Sequence, residues 1–431
     1  MSAETIESSP AVAAASQRAS FFRQSGWLMI ANIAGGALMY GVHFFSKVIP
    51  ENEYAIFGAL LALTICVPQL PLQMVIAQQA AAAVATGRER QLAGMFRLVW
   101  TSVTLLWAVG ALVMLLFQNA LMAKWGITNP AALWVTLLVM LATAWLPMFL
   151  GLLQGKQNFL AFGWAMILNG VGRLSIGAII VLVLVSRSAT GIMTGALAGL
   201  AIAVSIGIWA TRKTWSLKSE PYDLRGLLRQ AVPLMLGFGA CQFLMAADTM
   251  IVKAYLPENS ECYVAAGTLS RALVWAVGPL TSVMFPRIVH SAVRGEKSNV
   301  FGLSLAFTAG MAIVGVIGLW LLGPWVVRFM AKPSYVEVTT QLLPWYAGAM
   351  VPLCLANVLA SNLLGKGQFR VVIPMVLLAV AYGVTLMFVH TSFVQVLQLL
   401  GVFNLLLFAV CAWFTFHSPK TAAANGAGPV R

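Results

Sequence analysis

Long apolar runs and short polar breaks alternate along almost the whole chain. Twelve of the runs lie at residues 26–45, 54–76, 98–117, 132–153, 161–185, 191–210, 231–255, 263–285, 300–322, 338–364, 371–388 and 393–416. Each is close to or above the roughly 20 apolar residues that a helix needs to cross a bilayer. The pattern predicts an all-α polytopic membrane protein with about 12 transmembrane helices. The break TRKTWSLKSEPYDLRGLLRQ at 211–230 splits them six and six. The chain then reads as a tail (1–25), a six-helix bundle (26–210), a central loop (211–230), a second bundle (231–416) and a second tail (417–431).

The two bundles repeat each other. VIPENEY, from Val48, follows the first run and YLPENSECY, from Tyr255, follows the seventh. At the same spacing Glu53 matches Glu261, Pro71 matches Pro279, and GRERQ from Gly87 matches GEKSN from Gly295. LLQGKQNF (152–159) and NLLGKGQF (362–369) close the fourth and tenth runs, pairing Gly155 with Gly365, Lys156 with Lys366 and Phe159 with Phe369. The first and seventh helices point the same way, so the repeat is parallel. Two bundles related by an axis along the membrane normal are a recurring transporter plan, with a central cavity between them.

Charge sets the expected orientation. With the N-terminus inside, 18 Lys and Arg fall on inner segments and five on outer ones. That asymmetry places both termini in the cytoplasm. The central loop is then a flexible cytoplasmic link. Composition agrees: of 431 residues, 60% are hydrophobic and 9% charged, and the mean hydropathy is +0.88. The net charge of +14 is spread over short loops and forms no basic arm, so no nucleic-acid partner is expected; the partner is the lipid bilayer. The polar first 20 residues lack the apolar core of a signal peptide. Four of the five cysteines lie inside apolar runs and no Cys/His ligand spacing occurs. No metal, no cofactor and no catalytic residues are therefore expected.

A charge at mid-bilayer costs about 2.5–3.5 kcal/mol on insertion scales and normally faces a cavity or a partner. Arg173 lies about 18 Å into the fifth span, with Asn169 and Gly177 one turn away on its face. No acid of its bundle lies at that depth. Arg173 is either satisfied by backbone carbonyls or a cavity cation for an anionic ligand, and guanidinium suits phosphate. Asp248 and Arg271 lie about 10 and 12 Å from the outer ends of consecutive spans. They read as a structural ion pair, or as a cavity-facing Arg271 beside an Asp248 that tunes it or takes a coupling H⁺ or Na⁺. Lys253, near the outer end of its span, reads as a snorkelling interfacial residue. His43 reads as a satisfied polar residue or a proton relay. Lys156 and Lys366 sit where inner positive charge is expected; a second reading has them greet lipid head groups.

The run ADTMIVKAYLPENSECYVAAGTLSRALVWAVGPLTSVMFPRI (247–288) resembles the second-half signature of polysaccharide flippases. These belong to the MOP superfamily, which also holds the multidrug and toxin extruders. Asp248, Pro257, Glu258, Tyr263, Arg271 and Pro286 match the signature. FFSKVIPENEYAIFGALLALTICVPQLPLQMVIAQQAA resembles its first-half partner, and the likeness extends over almost the whole chain. The resemblance implies a flippase that carries a polyprenyl-pyrophosphate-linked oligosaccharide across the bacterial inner membrane, beside polysaccharide polymerase machinery. Two departures are that Ala55 stands where the family has Gly after its Tyr, and that the chain is short for the group. It lacks the two extra spans of a peptidoglycan-precursor flippase. A cation-coupled antiporter of the same fold, or a non-transporting scaffold, are the other readings.

Overall fold

The computed structural model describes residues 27–28, 30–184, 187–220, 222–275 and 300–417. The tails, the inner half of the eighth span, Pro279, Pro286 and GEKSN lie outside the described residues. All regular structure among the described residues is helical. The first span is α1 (30–40), tightening into a 3₁₀ turn over Gly41–Lys47. The N-terminal half continues with α2 (Glu51–Ile65), α3 (Gln69–Thr86), α4 (Glu89–Leu116), α5 (Gln118–Trp125), α6 (Ala131–Gly155), α7 (Phe159–Ala178) and α8 (Ala189–Trp215). The C-terminal half holds α9 (Leu224–Tyr255), α10 (260–275), α11 (Val300–Met330), α12 (Val336–Gly365), α13 (Val372–Phe388) and α14 (Phe393–His417). Among the described residues ten stretches are long and apolar enough to cross a membrane, α2 and α3 counting as one. Residues 30–47 and 260–275 occupy the places of the first and eighth spans.

Several helices outrun the apolar runs that announced them. The alanine-rich AQQAAAAVAT carries α3 to Thr86, α4 begins at Glu89, and α9 begins at Leu224. Helix formation is governed by propensity as well as hydropathy, and alanine is the strongest helix former. The 32 residues of α9 give about 48 Å of helix against a hydrocarbon core of about 30 Å. The connection from α8 to α9 is not the loose link expected. Arg97 of α4 donates from Nε to the Trp215 carbonyl at 2.7 Å and also binds the Leu217 carbonyl. The Glu220 N–H bonds the Arg90 carbonyl at 3.3 Å, and Tyr222 donates to Gln79 at 2.9 Å. These bonds pin it to α4 and α3.

The second span is broken. Cys66–Pro68 interrupts it between α2 and α3, where Pro68 and Pro71 remove backbone donors. Pro71 sits in the first turn of α3, where an N–H has no intrahelical partner.

The repeat is visible in the backbone. Gln157 (φ 57°) and Gly367 (φ 70°) occupy the same left-handed position of the two duplicated turns. The N–H groups of Asn158 and Gln368 bond the carbonyls of Leu153 and Leu363 at 2.8 and 3.0 Å. The two segments thus share one helix-ending geometry, which Gly367 adopts without the cost that Gln157 bears.

Burial separates core helices from lipid-facing ones. The apolar window of α6 is 72% buried and that of α4 only 6%. Leu105, Leu106, Leu112 and Leu116 point outward from α4, an arrangement that suits hydrocarbon. Helices gain no hydrophobic drive to associate in lipid and rely on close packing of small residues. At α7–α8 a Cβ built on Gly199 would lie 2.3 Å from the Asn169 carbonyl oxygen, and one on Gly195 2.6 Å from the Gly177 Cα. Gly199→Val should therefore lower the thermal unfolding midpoint of the detergent-purified protein, at an overpacking cost of about 1–3 kcal/mol. Gly110→Ala on the open face of α4, where nothing lies within 4 Å, should leave the midpoint unchanged or slightly raised.

Candidate functional site

Asp248 of α9 and Arg271 of α10 meet in the interior of the C-terminal half, 0% and 6% exposed. Arg271 donates to Asp248 Oδ1 at 2.9 Å, to the Met245 carbonyl at 2.7 Å, and to Thr249 Oγ1 and the Tyr346 hydroxyl at 2.5 Å each. The other Asp248 oxygen accepts from Tyr263 at 2.8 Å and from Tyr346. Three donors engage both oxygens of the carboxylate, and the Arg271 bonds all stay within its own half. This is the geometry of a structural ion pair. Tyr346 and Thr249 were not foreseen; the polar residues within apolar LLPWYAGAM and ADTMIV are the signals that pointed to them.

Arg173 sits differently. It lies on α7 facing the glycine seam with α8: the same Cβ built on Gly199 would be 2.6 Å from the Arg173 N and 3.0 Å from its Cβ. Its side chain is partly buried, and its buried Nε has no hydrogen-bond partner. One turn away, Asn169 donates to Met39 Sδ at 3.6 Å while its Oδ1 has no partner. No ion pair involving Arg173 occurs among the described residues. Arg173 and Arg271 share no contact; they belong to different halves.

His43 lies between the halves. Its Nδ1 is 3.0 Å from the Tyr54 hydroxyl, and the rings of Tyr40 and Phe57 flank it. With Ser46, Tyr54 and Thr268 it lines a cavity of about 10 Å³, room for about one water with several polar partners. The α2–α3 break lies within electrostatic reach of Asp248 and Arg271, and residues 65–70 are all partly exposed. Irregular backbone at membrane depth is tolerated where it is enclosed by protein or lines a wet cavity.

Lys156 donates to Thr214 Oγ1 at 2.7 Å and pairs with Glu89 at 3.6 Å. Lys366, in the matching turn, is exposed, and partial burial holds its amine below the usual lysine range. Both sit at the end of the bundle opposite Pro50. Near them a cleft of about 90 Å³ opens between α3, α9 and the α12–α13 turn. At the Pro50 end the halves are sealed. Ser46 donates to the Met330 carbonyl at 3.0 Å, Lys332 to the Ile49 carbonyl at 2.8 Å, and Ser334 to Glu51 at 3.1 Å. Tyr54 stacks on Tyr335, and Phe44 meets Phe329 edge to face. Lys253 does not snorkel: it is 2% exposed and reaches Asn52 across the seam. A buried partner on the facing half replaces the lipid interface expected from depth alone.

Arg271→Ala leaves Asp248 charged and buried. It should cost about 3–5 kcal/mol, read as a fall in the thermal unfolding midpoint of purified protein. Replacing both members, Asp248→Leu with Arg271→Met, should recover most of that loss. An unchanged midpoint for Arg271→Ala would show that the pair contributes no stability.

No protein-family model matches the sequence. Two uncharacterized proteins of Mycobacterium tuberculosis, from strains CDC 1551 / Oshkosh and ATCC 25618 / H37Rv, are each 25% identical over 227 residues, 51% of this chain and 51% of theirs. The chain thus spans about half the length of the curated relatives it matches. Solved structures are similar over far more of it. An inward-facing multidrug resistance MATE family transporter of the MOP superfamily superposes with a TM-score of 0.68 at 14% identity, over 91% of this chain and 96% of that one. The lipid II flippase MurJ in an inward closed conformation superposes at 0.64 and 13%, over 91% and 87%. An outward-facing MATE transporter gives 0.60 and 13%, over 90% of each chain. At these identities the likeness is one of fold: the chain is a polytopic membrane protein with the fold shared by transporters and a flippase of the MOP superfamily.

Proposed function

We propose that the protein is a flippase that moves a polyprenyl-pyrophosphate-linked oligosaccharide from the cytoplasmic to the outer leaflet of a bacterial inner membrane, for assembly of a surface polysaccharide. The observation that carries this reading is Arg173, a mid-span arginine with an unpartnered buried Nε and no ion pair among the described residues. A guanidinium held in low dielectric without a counter-ion favours an anionic ligand, and its planar fork matches phosphate. Asn169, one turn away, has an open amide oxygen, an acceptor suited to a sugar hydroxyl rather than to phosphate. A fold shared with a lipid II flippase supports a lipid-linked substrate.

In this reading the Pro50 end faces outward and the Lys156 end, with both termini, faces the cytoplasm. The two halves rock about the site, and the sealed Pro50 end makes this the state that loads from the cytoplasm. Lys156 and Lys366 stand where a head group enters, and polysaccharide polymerase machinery takes the product. Asp248 is already engaged by three donors of its own half, which disfavours it as the site of a coupling H⁺ or Na⁺ and with it the cation-coupled antiporter. The tied-up Arg271 shifts the binding role to Arg173.

The test is a deletion strain, with polyprenyl-pyrophosphate oligosaccharides quantified by mass spectrometry of extracted lipids. They should accumulate and be cleared by wild-type protein. Loss of a charge-assisted hydrogen bond of about 1.5–3 kcal/mol predicts roughly 10–100-fold slower clearance by Arg173→Ala, with Arg173→Lys between the two, at equal membrane levels. No accumulation on deletion, or full rescue by Arg173→Ala, would turn the reading to an antiporter or a scaffold.

A further inference from the structure

The seal at the Pro50 end is built on charge in an unusual way. The N-terminal half brings Glu51 and Glu53 to it, and the C-terminal half brings Lys253, Glu261 and Lys332. Yet the two lysines do not bind the carboxylates across the seam. Lys332 donates to a backbone carbonyl, that of Ile49, and Lys253 to the side-chain amide oxygen of Asn52. Neither lysine lies within ion-pair distance of an acid among the described residues. Glu51 accepts from Ser334, and Glu53 accepts from the Ala189 N–H at 2.7 Å, where it caps α8. Glu261 is itself 6% exposed.

Lys253 is the extreme case. An ammonium has three donors; this one is 2% exposed and has one neutral acceptor. A buried cation without a close counter-ion is costly, and here water would relieve the cost as soon as the halves part. Asn52 and Glu51 belong to the first copy of the repeated Pro-Glu-Asn stretch, and both reach across the seam. All four residues, Glu51 and Asn52 as well as Glu258 and Asn259 of the second copy, are exposed, so the buried partner of this contact is Lys253 alone.

We propose that Lys253 and Asn52 form a release latch: the seam closes on an ammonium that is left under-solvated, so the closed state is held only weakly and reopens toward the Pro50 side. The inference rests on the proposed reading in which the two halves move against each other and the Pro50 end faces outward, but not on the identity of the substrate. Its test reads the seam directly, through labelling of Ser46→Cys (Ser46 is 0% exposed) by a membrane-impermeant maleimide on intact cells, in a Cys262→Ala background. Lys253→Met, which keeps the stem and removes the charge, should slow labelling at least fivefold and raise the unfolding midpoint of the purified protein. Asn52→Asp, which supplies the missing counter-ion, should also slow labelling. Lys332→Ala, which removes a cross-seam bond from an ammonium that stays partly exposed, should speed it.

Unchanged labelling in both Lys253→Met and Asn52→Asp would overturn the latch, as would faster labelling in either. If one of those two variants does not fold, the other decides. If lipid-linked oligosaccharide fails to accumulate on deletion while these shifts hold, the flippase reading falls and the latch stands.

Discussion

Hydrocarbon cannot hydrogen-bond, and this constraint orders the rest of the structure. It forces the backbone into helices that satisfy themselves, and it forces each interior polar side chain to find a partner within the protein. Asp248 finds Arg271, Tyr263 and Tyr346. Asn404 donates to the Ala349 carbonyl at 2.8 Å. Where a partner is missing, the departure carries information. Arg173 is the one basic residue among the buried unpartnered side-chain atoms of the described residues.

The two halves share a backbone plan but spend their charges differently. The duplicated turns share their helix-closing backbone bonds, and the duplicated Pro-Glu-Asn stretches lie at the same end. The C-terminal half encloses its Asp248–Arg271 pair among the hydroxyls of Thr249, Tyr263 and Tyr346. The N-terminal half holds a cation with no counter-ion, beside a helix contact so tight that only glycine fits at Gly199. The duplicated bundle thus has one closed and one open electrostatic centre. The sealed Pro50 end and the cleft near Lys366 add a direction to that asymmetry.

The seam shows how membrane depth and tertiary environment can disagree. By depth, Lys253 belongs at an interface where a long stem reaches head groups. In the fold that interface is another protein surface, so the ammonium is buried against Asn52. The connection over 211–230 shows the same effect on the backbone: a polar, charged stretch is bonded to α4 and α3 through Arg97, Arg90 and Gln79.

Much was legible in the sequence because the bilayer reads the sequence in one dimension. Apolar run length gave the spans, the repeated PEN and GK stretches gave the two parallel halves, and the depths of Asp248 and Arg271 brought them onto one level. What the sequence could not supply is the rotation of each helix about its axis. That rotation decides whether Arg271 meets Asp248 or a cavity, whether Lys253 meets lipid or Asn52, and whether Arg173 meets a carbonyl or stays unpartnered. It is set by small-residue packing between helices distant in the chain, such as Gly199 against Asn169. The end points of α3 and α9 escaped for a simpler reason: a helix goes on while its propensity lasts, past the edge of the apolar run. Span number and repeat are thus properties of the chain alone, while the site belongs to the packing, because a charge takes its role from what faces it.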